Sequence, residues 1–261
     1  MQLGLCLEMV FLQDAFEDRI RKAADLGFKN VEMWFVDGSW KGTPEALAQI
    51  AQRAGVRITN TVIGAPDGSV GGGLVNPAHR PQWLERARYT LAFNQAAGIP
   101  ATIVCTGNTL DGQAPERMRQ SVLDGLRATA ELAEKAGITL LLEPLNTRYD
   151  HAGYFLAGSA PGAELCRAVN SPRLKLLFDC YHMQIMEGDL LRNIERSLDV
   201  IGHFHAAGVP GRHEVFQGEL NYKFVAEQVD RWGYQGIFAL EFQPSGADAA
   251  VLKQTLAYFG K

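Results

Sequence analysis

The chain carries almost no charge imbalance. Its 261 residues hold 25 lysines and arginines against 29 aspartates and glutamates, a formal net charge of −4. Without a basic excess there is no electrostatic footprint for nucleic acid or for an anionic membrane surface, so neither is expected as a partner. Cysteine is scarce too. Cys6, Cys105, Cys166 and Cys180 form no CxxC pair and no zinc-knuckle spacing, so they read as reduced, buried thiols of a cytoplasmic protein rather than as a disulfide framework. No stretch reaches the roughly 18 consecutive apolar residues of a membrane-spanning helix. The N-terminal MQLGLCLEMVF is apolar but has no basic leader and contains Glu8, which predicts a buried first strand rather than a signal peptide. No Pro/Gly/Ser-rich linker divides the chain, and residues 1–261 read as one domain. Gly71-Gly72-Gly73 is not followed by Lys-Ser or Lys-Thr, so it is no phosphate loop.

What is present is an alternation. Eight short apolar runs, LGLCLEM, NVEMWF, RITNTVI, ATIVCTG, TLLLEPL, LKLLFDC, HFHAAG and IFALEF, are separated by longer amphipathic stretches. Several runs are apolar on both alternating faces, as strands covered on both sides of a parallel sheet must be. In the stretch FVAEQVDRWGY, Val225, Val229 and Trp232 share one helical face. Gly27, Gly55, Gly98, Gly137 and Gly233 each close a helical stretch just before the next strand, where a left-handed residue ends a helix and a Cβ is penalised. A strand, loop, helix and turn take about 33 residues, and eight such units fill a chain of this length. The expected fold class is α/β, a single (β/α)8 TIM barrel. The longest irregular stretch, residues 66–81, follows the third strand. It belongs on the C-terminal face, either as a lid over a site or as a loose surface loop.

Four of the runs end in a group that can bind a metal: TLLLE at Glu143, LKLLFD at Asp179, HFH at His205 and IFALE at Glu241. They are separated by 36, 26 and 36 residues, each near one βα unit, which assigns them to consecutive strands five to eight. In a barrel those strand ends converge on the rim where active sites form. A lone acid after an apolar run can be a structural ion pair, but three acids and one histidine at equivalent places point to a shared ion. Oxygen-rich ligation with one imidazole suits Mn²⁺ or Mg²⁺, with Co²⁺ or Zn²⁺ as further candidates. His203 lies on the same strand face as His205 and reads as a deeper residue behind it. His182, three residues past Asp179, is expected on a loop in reach of a substrate oxygen. His79, His151 and His213 default to loop and rim positions, and Glu32 to a site residue or an ion pair inside the barrel.

The segments AADLGFKNVEMWF, LLLEPLN, GYFL, FDCYHMQIMEGDL, HFHAAGVPGRHEVFQGELNY and GYQGIFALEFQP carry a resemblance that spans nearly the whole chain. It resembles the xylose isomerase-like TIM barrels and, within them, the hydroxypyruvate isomerase group. The resemblance implies a metal on Glu143, Asp179, His205 and Glu241, with Glu143 and Glu241 as the acid/base pair and substrate contacts from His182 and Arg212. It implies a small-molecule substrate and an aldose–ketose isomerisation through an enediolate, hydroxypyruvate to tartronate semialdehyde being the group's name reaction. Family members commonly form dimers or tetramers, so a homo-oligomer is compatible with the chain, although no interface pattern shows in it. The chain departs from the group's pattern at Cys6, Glu8, His205 and Gln243. The histidine at 205 is similar to ketose 3-epimerases of the same superfamily, which makes epimerisation of a small sugar the alternative activity. A nuclease reading requires more histidines and a basic face, and a purely sugar-binding barrel has no need of Glu143 and Glu241.

Overall fold

Strand and helix alternate along the computed structural model, which describes residues 1–261. The strands are β1 (Gln2–Cys6), β2 (Asn30–Glu32), β3 (Arg57–Ile58), β4 (Asn60–Val62), β5 (Ala101–Val104), β6 (Thr139–Leu142), β7 (Leu174–Asp179), β8 (Ile201–Ala206) and β9 (Ile237–Leu240). The helices are α1 (Phe16–Leu26), α2 (Pro44–Ala54), α3 (Arg80–Ala97), α4 (Pro115–Ala136), α5 (Ser159–Val169), α6 (Cys180–Met186), α7 (Leu190–Ser197), α8 (Tyr222–Arg231) and α9 (Asp248–Tyr258). Neighbouring strands are parallel, in the order β3-β2-β1-β9-β8-β7-β6-β5-β4. The two ends of that order, β3 and β4, are separated only by Thr59. They are halves of one stave, so the nine segments make eight staves and the ring closes. Thr59 holds the break against β2, its backbone N–H donating to the Val31 carbonyl at 2.8 Å and its hydroxyl to the same oxygen at 3.1 Å. The chain forms the expected (β/α)8 TIM barrel.

Alternation along the strands decides what faces inward. Phe178, Phe204 and Phe238 are register partners across β7, β8 and β9 and are fully buried. The Phe204 and Phe238 rings stack at 5.6 Å, and Phe238 meets Tyr222 of α8 edge-on at 6.2 Å. These rings therefore lie between strands and helices, and burying each contributes about 1.5–3 kcal/mol. Residues one position away point the other way, which puts Asp179, His203 and His205 inside the barrel.

The glycine punctuation holds in all five places. Gly27, Gly55, Gly98 and Gly137 are left-handed caps of α1 to α4. Gly233 is left-handed as well, but α8 caps on Trp232 and the glycine follows it. Two expectations are corrected. His182 is not on a loop but in the first turn of α6, which starts directly after β7 because Asp179 Oδ1 accepts the N–H groups of Tyr181 (2.7 Å) and His182 (3.1 Å). Nor is the whole of 66–81 a loose surface loop: its middle, Gly71 to Val75, is buried, Leu74 and Val75 being 1% exposed, while the residues on either side are partly or fully exposed. The glycines allow this packing, since a Cβ on Gly73 would stand 3.1 Å from the Gly107 Cα. The stretch ends in a 3₁₀ turn, Pro77–His79, that leads into α3.

α3 is anchored by Trp83, which has no exposed surface and donates its indole N–H to the Thr129 hydroxyl of α4 at 2.9 Å. Trp83→Ala leaves a cavity and removes one of the two partners of the Thr129 hydroxyl, which still donates to the Gly125 carbonyl at 2.7 Å. It is expected to lower the unfolding free energy by about 3–5 kcal/mol in urea titrations, with Trp83→Phe falling between it and wild type.

Candidate active site

Glu143 and Glu241 are the first residues beyond β6 and β9, and their N–H groups still donate into the ladder, to the carbonyls of Val104 (3.2 Å) and Ala206 (3.0 Å). Asp179 ends β7, and His205 is the last residue but one of β8. The strands thereby fix all four backbones, and the side chains converge. His205 Nδ1 lies 3.3 Å from Glu241 Oε2, 3.4 Å from Glu143 Oε1 and 4.0 Å from Asp179 Oδ2. One donor atom from each of the four lies within 4.8 Å of the others, and all four residues are buried.

Three carboxylates this close, away from water, repel one another and resist ionisation together. Burial pushes Asp179 up to about 7, with Glu143 and Glu241 adding to the rise and His205 opposing it. Burial acts on Glu241 in the same direction, yet the adjacent His205 and Arg212 outweigh it and hold that carboxyl well below its usual range. Burial disfavours the charged imidazole of His205, but Glu241 and Glu32 hold it well above its usual range. Even so, His205 Nδ1 is a buried polar atom with no hydrogen-bond partner. A divalent cation answers both features, the excess of negative charge and the orphaned nitrogen. Three carboxylates and one imidazole are a donor set of the right chemistry for it.

The surrounding residues orient this group. Glu241 accepts from Trp34 Nε1 on Oε1 (3.0 Å) and from Arg212 on Oε2 (2.6 Å). Arg212 takes a left-handed backbone, φ 57°, and lies over the Tyr181 ring at 5.2 Å. His182 is fixed by Asn146. The Asn146 Oδ1 accepts the N–H groups of Tyr149 and Asp150, which turns its Nδ2 toward His182 Nδ1 at 2.7 Å. Asn146 N also donates to His182 Nδ1, at 3.2 Å. With Nδ1 an acceptor, the hydrogen of His182 sits on Nε2, which has no partner. Burial, with Arg212 nearby, keeps this imidazole neutral, its pKa well below the usual value.

Glu143, Glu241, His182 and Arg212 line a cavity of about 210 Å³ together with Val62, Ile103 and other apolar residues. All six sequence-derived residues, Glu143, Asp179, His182, His205, Arg212 and Glu241, are thus brought into one locality. His151, expected at the rim, lines the cavity too. Glu32 forms an ion-pair contact inside the barrel with both His203 and His205, and these imidazoles, working against its burial, lower it to about 2. Asn146 is the residue the sequence reading passed over. Its place in LLLEPLN, three residues after Glu143, was the available signal.

Comparison with known proteins agrees with this fold. Residues 20–261 match the family model described as xylose isomerase-like TIM barrel. A 2-oxo-tetronate isomerase of Cupriavidus necator is 33% identical over 260 residues, covering 98% of this chain and 97% of its own. The hydroxypyruvate isomerase of Escherichia coli K12 is 29% identical over 251 residues, 95% of each chain. Among solved structures, one described as an AP endonuclease, family 2, from Brucella melitensis superposes with a TM-score of 0.89 at 28% identity, covering 99% of this chain and 98% of that one. With the barrel, its strand-end acids and full-length likeness in agreement, the chain belongs to the xylose isomerase-like TIM barrel family, in the branch that holds the hydroxypyruvate and 2-oxo-tetronate isomerases.

Proposed function

We propose that the protein is a metal-dependent isomerase that interconverts the ketose and aldose forms of a small hydroxy-carbonyl substrate, hydroxypyruvate and tartronate semialdehyde or a close analogue. The observation that carries this reading is the buried group Glu143, Asp179, His205 and Glu241 with its orphaned His205 Nδ1. These four residues would hold Mn²⁺ or Mg²⁺, with Co²⁺ or Zn²⁺ as alternatives. Such an ion polarises a carbonyl and stabilises the charge that develops on substrate oxygens. The chain's own groups move the proton. Glu241, held ionised by Arg212 and His205, takes the proton alpha to the carbonyl and leaves an enediolate, and Glu143 serves the opposite side of the substrate. His182 Nε2–H donates to a substrate oxygen. Arg212, paired with Glu241 through Nη2, offers its remaining N–H groups to a substrate carboxylate. The apolar residues of the lining exclude water from the intermediate.

A second reading, epimerisation at carbon three of a small ketose, is favoured by the imidazole at position 205. Turnover in deuterium oxide separates the two. Isomerisation generates an aldehyde with deuterium on the carbon that was the carbonyl, whereas epimerisation keeps the ketone and labels carbon three.

Glu143→Gln and Glu241→Gln are each expected to lower kcat by about 10²–10⁴-fold while the protein still binds Mn²⁺. Retained turnover in both, with metal bound, sinks the two-glutamate mechanism. Cation uptake must also displace protons, because Asp179 (about 7) and His205 are both raised. Protons are bound below those raised values and must leave on binding, so Mn²⁺ affinity should weaken as pH falls below about 7. Calorimetry in buffers of different ionisation enthalpy should show net proton release.

A further inference from the structure

Glu32 lies on β2, far in sequence from the four residues around the orphaned nitrogen, yet it touches one of them. Its Oε2 is 3.0 Å from His205 Nε2, and its Oε1 is 2.7 Å from His203 Nε2. The Thr59 hydroxyl, at the break between β3 and β4, donates to Oε1 at 3.4 Å. Glu32, His203 and His205 are all buried, and the two imidazole rings meet edge-on at 5.2 Å. Neither histidine can swing without losing its carboxylate.

The two nitrogens of His205 are therefore not equivalent. Nε2 faces an acceptor and keeps its hydrogen, so Nδ1 is the nitrogen left to offer a lone pair, once unprotonated, toward the space between Glu143, Asp179 and Glu241. A ring free to flip presents either nitrogen, or an N–H that repels a cation. A carboxylate on the far side of a ligating imidazole sets both its orientation and its basicity.

We propose that Glu32 is a positioning residue that acts through His205, fixing its tautomer and ring direction for a cation held on Nδ1, with His203 clamping the second carboxylate oxygen. This rests on the divalent-cation reading of the site. Glu32, His203 and His205 are also close enough to hold an ion themselves. Their nitrogens, however, are already matched to the carboxylate oxygens as donor to acceptor, and only His205 Nδ1 lacks a partner.

The test is Mn²⁺ titration of the full chain, reading free Mn²⁺ by its magnetic resonance signal and bound histidine by electron spin-echo ¹⁴N coupling. Wild type should bind one Mn²⁺ with ¹⁴N coupling. Glu32→Gln, which replaces one acceptor with a donor, should bind about 10–100-fold more weakly with that coupling lost or altered. His205→Gln should lose the coupling as well, and adding Glu32→Gln to it should cost little more. His203→Gln, a variant that leaves the Glu32 carboxylate intact, should weaken binding in the same direction and again not in the His205→Gln background. Unchanged affinity and coupling in both Glu32→Gln and His203→Gln overturns the proposal. So does an equal loss in the presence and absence of His205, which marks a general structural effect. Two Mn²⁺ per chain overturns it in favour of a second ion site. A wild type that takes up no Mn²⁺ overturns the cation reading itself, and the positioning role with it.

Discussion

Buried like charge is the constraint on which the rest of this molecule depends. Glu143, Asp179 and Glu241 converge from three strand ends on one imidazole nitrogen, with Glu32 behind it. Ionised carboxylates out of water are tolerated only beside positive charge and hydrogen-bond donors. The chain supplies His205, Arg212 and Trp34, and it leaves His205 Nδ1 unmatched. The barrel makes such a gathering sustainable. The backbones that carry the acids are tied into ladders closed on both sides, and the phenylalanines of β7 to β9 lock those strands against the helices. Stability built on the outside of the ring holds an arrangement that would disperse if its side chains sat on loops.

Much of this was legible from sequence because it is written in local pattern. An acid after a run of apolar residues, repeated at nearly one βα unit, places itself on a rim. Glycines before strands locate helix ends. What escaped was non-local. Glu32 touches His203 and His205, about 170 residues away, and nothing in NVEMWF says which side of the closed ring its carboxylate meets. Asn146 and His182 are 36 residues apart, and their bond exists only because Asp179 starts a helix at once. That early start also defeated the expectation of a loop at His182, since an N-cap aspartate and a strand-end ligand look alike in sequence. Residues 66–81, the longest irregular stretch, read either as a lid or as a loose loop, because packing against a distant backbone leaves no local pattern. In the fold the glycines of that stretch admit close backbone packing beside Gly107.

The cavity combines two kinds of lining. Its polar groups, Glu143, Glu241, His182 and Arg212, share it with apolar residues that include Val62 and Ile103. A volume of about 210 Å³ favours a small ligand. Selectivity then rests on the polar groups, where unmatched donors penalise a ligand that lacks the right oxygens.

The hydrogen bonds around the three rim acids also distribute freedom unequally. Asp179 gives one oxygen to the start of α6, and both oxygens of Glu241 have donors in Trp34 and Arg212. The Glu143 carboxylate has His205 alone within reach. Two of the acids are thus clamped in direction, and the third retains rotational latitude. For a cation held among them, a change from one oxygen to two would cost least at Glu143, because it alone can turn without breaking a bond the fold has already made.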